Sequence, residues 1–90
     1  MESKELVLVV DDSLDSRVCV QRILENAGFR VATAEDGERA LDVLTTEDVD
    51  LILADIAMPK MNGYQLFEKV MADPAWVAVP FVFISGRELD

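Results

Sequence analysis

Four short runs rich in apolar residues recur along the chain, at Leu6–Val10, 29–34, 49–54 and Phe81–Ile84. Each breaks off at polar or turn-forming residues. Runs of this length, with β-branched and aromatic side chains, read as strands. The first is apolar at every position and reads as a strand buried on both faces, as in a parallel sheet. Between the first two runs, Leu14, Arg17, Val20, Leu24 and Ala27 recur at helical spacing. Asp12 or Ser13 can cap that helix and Gly28 can stop it. Ala40, Leu41 and Leu44 mark a second helix. Leu66, Phe67, Val70 and Met71 mark a third, broken by Asp73-Pro74. The segment 56–63 reads as a loop, because Pro59 excludes a helix through its middle and Asn62-Gly63 signals a turn. Residues 87–90 can begin a further helix. Strand and helix alternate, so the expected fold is α/β, with a parallel sheet and right-handed crossovers. In such open sheets ligands bind outside the carboxyl ends of the strands.

Composition narrows the chemistry. The length of 90 residues suits one domain with a modest core. A net charge of −10 argues against nucleic acid and anionic membranes, which repel an acidic surface. It accommodates a basic partner or a bound cation, and an acidic surface serving only solubility explains it equally well. Cys19 is the single cysteine and there is no histidine. An internal disulfide, histidine-based catalysis and the commonest zinc ligand are therefore excluded, and a reducing, cytoplasmic setting is expected. The opening Met-Glu-Ser-Lys-Glu is too charged for a signal peptide, and no apolar run is long enough to span a membrane.

Three strands end in polar residues that the fold can bring together. Asp11 and Asp12 follow the first, Asp55 the third and Ser85 the fourth. Two unit charges about 4 Å apart repel by about 4 kcal/mol at an effective dielectric of ~20. A cation in the cleft relieves that repulsion, and an all-oxygen site of a few carboxylates suits Mg²⁺. The plainer reading is that these aspartates cap helices and solubilise strand ends. Two other readings share the layout. One is a hydrolase with an aspartate nucleophile, for which the chain offers no obvious general base or substrate cap. The other is a flavin-binding module, in which Asp11-Asp12 would repel phosphate unless a metal intervened.

Three segments resemble the receiver domain of two-component response regulators. They are Val9-Val10-Asp11-Asp12-Ser13, Asp50-Leu-Ile-Leu-Ala-Asp55-Ile-Ala-Met-Pro-Lys-Met-Asn-Gly63 and Pro80-Phe-Val-Phe-Ile-Ser-Gly86, supported by Arg17, Val20, Leu24 and Gly28. The resemblance covers essentially the whole chain. It implies a flavodoxin-like, CheY-like doubly wound parallel sheet. It also implies that Asp55 accepts a phosphoryl group from a phosphohistidine on a histidine kinase or histidine phosphotransfer domain. Asp12 would ligate Mg²⁺ directly, Asp11 more loosely, and the backbone carbonyl of Ala57 would complete the protein ligands. Ser85 would contact the phosphoryl oxygen, with the small Gly86 beside it. Such a domain is a regulatory phosphoacceptor, not an enzyme. Ala57 cannot orient water with its side chain, so self-dephosphorylation is expected to be slow.

By the same resemblance, residues 1–90 are one receiver domain that stops after the fourth strand. The fifth strand with its lysine, and the last helices, are missing. Lys4, Lys60 and Lys69 do not stand at the matching position. Two consequences are expected. The fourth strand is an exposed edge that self-associates as a homo-oligomer or is completed in trans, and Val18 and Cys19 on the first helix are poorly covered. A receiver-like interaction module that is not phosphorylated is the alternative. The remaining conspicuous residues read as structural. Met58 and Met61 pack the loop, Pro59 and Gly63 shape it around Asp55, and Lys60 is solvated. Trp76 packs at the surface, and Phe81 and Phe83 belong to a core strand.

Overall fold

The computed structural model describes residues 4–84. The elements alternate as expected: β1 Leu6–Val10, α1 Leu14–Asn26, β2 Arg30–Ala34, α2 Gly37–Thr46, β3 Leu51–Asp55, α3 Gly63–Met71 and β4 Phe81–Ile84. The expected helix start at 87–90 lies outside the described residues, as do Ser85 and Gly86. Among the described residues, no helix is long and apolar enough to cross a membrane.

Three boundaries differ from the sequence reading, each for a local reason. Gly28 has φ 100°, and its N–H reaches the carbonyl of Glu25 at 3.0 Å. The Phe29 N–H turns back to Leu24 at 3.1 Å. Phe29 therefore closes α1, and β2 starts one residue later, at Arg30. Asp50 is held at the foot of β1: its N–H donates to the Leu6 carbonyl and its carboxylate accepts the Leu6 N–H, both at 2.8 Å. The ladder of β3 begins after it, although Val49 is already buried. Asn62-Gly63 is not a free turn. Asn62 caps α3, accepting the Gln65 N–H while the Gln65 side chain accepts the Asn62 N–H, both at 2.9 Å. Asn is a favoured N-cap, and Asn-x-x-Gln supplies the reciprocal pair.

The four strands form one parallel sheet in the order β2-β1-β3-β4. Strand order reverses at β1 and β3, so the crevice of a doubly wound sheet opens at their carboxyl ends. Registers align Val10 with both Ala34 and Ala54. One residue further, Asp11 stands level with Asp55, which pairs with Ile84. The main core lies on one face, where Leu8, Val10, Ile52 and Ala54 meet Ala40 and Leu44 of α2 and Leu66 and Val70 of α3. Met58 is buried in this core, and Trp76 and Phe81 pack against it. On the same side Phe67 and Phe81 stack edge-on at 5.2 Å, and Tyr64 meets Phe83 at 5.0 Å. The opposite face buries Val7 and Val9.

Candidate metal centre

The cleft at the ends of β1 and β3 is built by two strand-to-helix connections. β1 ends where apolar burial gives way to Asp11, which is buried nonetheless. Its N–H extends the ladder to the Ala34 carbonyl at 3.1 Å. Its carboxylate accepts the Ser13 N–H at 2.9 Å, folding the chain into the turn that leads to α1. Ser13 then caps the helix, its hydroxyl accepting the Ser16 N–H at 3.3 Å. Arg17 Nη1 donates to the Asp11 carbonyl at 2.8 Å and ties the first turns of α1 to the acidic corner. Asp12 is exposed.

Asp55 ends β3 and is 5% exposed. Its Oδ1 accepts the Ala57 N–H at a long 3.4 Å. The following loop closes tightly. The Met61 N–H reaches the Pro59 carbonyl at 2.7 Å across Lys60, which has φ 68°. The Gly63 N–H reaches the Ile56 carbonyl at 2.8 Å. Lys60 is exposed, in keeping with a solvated side chain.

Asp11, Asp12 and Asp55 each offer a carboxylate oxygen, and these oxygens lie within 4.8 Å of one another. Among the described residues, neither Asp12 nor Asp55 forms an ion pair with Lys or Arg. The N-terminus of α1 faces this corner and contributes partial positive charge. The donor set is all oxygen, with no nitrogen or sulfur, which is the chemistry of a hard divalent cation. Oxygens on an octahedral Mg²⁺, at about 2.1 Å from the ion, stand about 3 to 4 Å apart. The three carboxylates fit such an ion after small inward movements, or with a water between one of them and the metal.

The structure thus brings together the three predicted acidic ligands. Ala57 stands beside them through its N–H, and Ser85 lies outside the described residues. Sequence reasoning missed the contact of Arg17 with Asp11. Arg17 sat among the residues spaced for the buried stripe of the first helix. A charged residue in that stripe, one turn into the helix that follows the acidic pair, was the available signal.

Residues 7–89 match the family model described as the response regulator receiver domain. The chain is 36% identical over 87 residues to the two-component response regulator ORR3 of Oryza sativa subsp. indica, covering 96% of this chain and 66% of that protein. It is 40% identical over 86 residues to the probable transcriptional regulator ycf27 of Guillardia theta, again over 96% of this chain but 33% of the relative. The chain therefore spans just under two-thirds of the first relative and a third of the second. Among solved structures, the chemotaxis protein CheY4 of Vibrio cholerae superposes with a TM-score of 0.90 at 31% identity, over 97% of this chain and 72% of that one.

Proposed function

We propose, from the premise that the chain belongs to the response regulator receiver domain family, that it is a phosphoacceptor whose nucleophile is Asp55. The observation that carries this reading is the placement of Asp55. It is buried at the end of β3, with a carboxylate oxygen within 4.8 Å of those of Asp11 and Asp12. The phosphoryl donor is a phosphohistidine on a histidine kinase or phosphotransfer domain. An Asp55 oxygen bonds to phosphorus as the phosphorus–nitrogen bond breaks, and the bonding pair leaves with the partner's imidazole. The donor bond is already activated, so the chain's task is to position its carboxylate and balance charge. Mg²⁺, when bound, neutralises the carboxylates and the phosphoryl oxygens. Asp11 and Asp12 hold it together with Asp55, and the Ala57 carbonyl and Ser85 complete the site in this reading. Ala57 offers no side chain to orient water, so the acyl phosphate is long-lived.

Residues 1–90 act here as one receiver unit in the cytoplasm. β4 pairs only with β3 among the described residues, and Val82 on it is 45% exposed. That edge supports self-association or completion by another chain. A molar mass by light scattering that stays monomeric at every concentration removes this part.

The central test is incubation with Mg²⁺ and acetyl phosphate. The protein gains the mass of one phosphoryl group, and Asp55→Asn gains none. Indistinguishable wild-type and Asp55→Asn spectra would instead leave a receiver-like interaction module that is not phosphorylated.

A further inference from the structure

Gly63 and Gly37 occupy equivalent places in the fold. Each is the first residue of a helix, each follows a capping Asn or Asp, and each is buried. Neither has a positive φ, so backbone conformation does not demand glycine at either position. Alanine is the better helix former at both. What differs is the neighbour that a methyl group would meet.

At Gly37 a Cβ would come 2.5 Å from the Met61 sulfur and 3.0 Å from its Cγ. Met61 is an unbranched thioether whose sulfur end can swing away, while its Cβ, at 3.1 Å, has to give by a few tenths of an ångström. At Gly63 a Cβ would come 2.5 Å from the carbonyl oxygen of Asp55, 3.0 Å from the Ile56 Cα and 3.2 Å from the Asp55 carbonyl carbon. These are backbone atoms of the nucleophile and of the residue that follows it. Carbon and oxygen rest about 3.3 Å apart, so the two segments would have to part by about 0.8 Å. Neither side has an easy retreat. α3 is anchored by Leu66 and Val70, both fully buried, and the Gly63 N–H is already bonded to Ile56. Asp55 is paired in register with Ile84.

We infer that Gly63 is a positioning residue for the phosphoacceptor: its missing side chain lets the start of α3 seat against the Asp55–Ile56 peptide and set the reach of the Asp55 carboxylate. The inference rests on the phosphoacceptor reading. A site that must meet Mg²⁺ octahedrally tolerates little displacement, and a misplacement of about 1 Å at a reacting group costs up to ~100-fold in rate.

The test compares Gly63→Ala with Gly37→Ala, which adds the same methyl to the same position of another helix. Mg²⁺ affinity is measured by calorimetry, and phosphorylation by intact mass at saturating Mg²⁺ with acetyl phosphate. Gly63→Ala is expected to bind Mg²⁺ about tenfold more weakly and to react about 10- to 100-fold more slowly. Its melting temperature falls, because parting packed backbone segments costs about 1 to 3 kcal/mol against the roughly 1 kcal/mol that Ala gains in a helix, but its unfolding stays cooperative. Gly37→Ala stays within about twofold of the wild type in both assays, since a side-chain tip yields easily. The amide shifts of Asp55, Ile56 and Ala57 move in Gly63→Ala while those of Leu8 and Ile52 hold.

Equal losses in both variants, wild-type behaviour of Gly63→Ala, or loss of its cooperative unfolding each overturn the inference. A wild-type protein that takes neither Mg²⁺ nor phosphoryl group removes the functional reading instead. The amide shifts then still decide whether Gly63 places Asp55.

Discussion

The two faces of the sheet are built from similar residues and finished very differently. On the α2 and α3 face, Leu8, Val10, Ile52 and Ala54 are wholly buried, and the helices contribute Ala40, Leu44, Leu66 and Val70 to the same core. On the α1 face, Val7 and Val9 are equally buried, but α1 has no buried residue of its own. Leu14 and Ile23 are each 62% exposed. Cover also thins along a register row, from Val9 at 0% through half-buried Leu53 to Val82 at 45%. Cys19 is exposed, in line with the expectation that it is poorly covered, whereas Val18 is half-buried and better covered than expected. The contrast teaches that an apolar stripe states what a helix can bury, and that packing neighbours decide how much it does. The acidic cleft lies on the seam, with Asp11 and Asp12 leading into α1, and Asp55 leading through its loop into α3.

Four substitutions probe the contrast. The largest effect belongs to the closed face: Leu66→Ala is expected to cost about 2 to 5 kcal/mol, through lost burial and the cavity left in a packed core. Urea unfolding measures it. A cost below about 1 kcal/mol would show the α3 face to be as loose as its opposite. Next are the helix starts. α3 has the reciprocal Asn62 and Gln65 bonds at 2.9 Å, whereas at α1 the Ser13 hydroxyl accepts the Ser16 N–H at 3.3 Å and Ser16 returns no bond, the Ser13 N–H going to Asp11. Asn62→Ala should cost about 1 kcal/mol and Ser13→Ala less, on the same assay. The smallest effect belongs to the open face. Ile23→Ala should change stability by no more than about 0.5 kcal/mol. A cost like that of Leu66→Ala would mean that a further element covers α1 in solution and would erase the comparison.

Much of the architecture was legible from local pattern. The fully apolar Leu6–Val10 reads as a strand buried on both faces, and the structure buries all five of its residues in a parallel sheet. Phe81 and Phe83 alternate with Val82 and Ile84, and the structure places both rings on the α3 side. Asn62 was harder, because the same residue favours a turn and a cap. Only the return bond from Gln65 distinguishes the two. In the sequence Arg17 is one residue of a helical stripe, and nothing local reveals that its guanidinium reaches a carbonyl of the preceding loop. Asn62-Gly63 in the sequence places a loop-shaping glycine near Asp55, while its close approach to the Asp55 peptide exists only once α3 has docked.

By itself the sequence determined the alternation of strand and helix and the acidic ends of the first and third strands, because both follow from periodicity and from where apolar runs stop. Those features make Asp11, Asp12 and Asp55 candidates for one cleft. Only the tertiary structure decided that their oxygens come within 4.8 Å, since this depends on β1 and β3 being neighbours in register. It alone also decided that one face of the sheet is closed and the other partly open. Burial is a property of what packs against a residue, and that partner is set by the fold and not by the residue's own polarity.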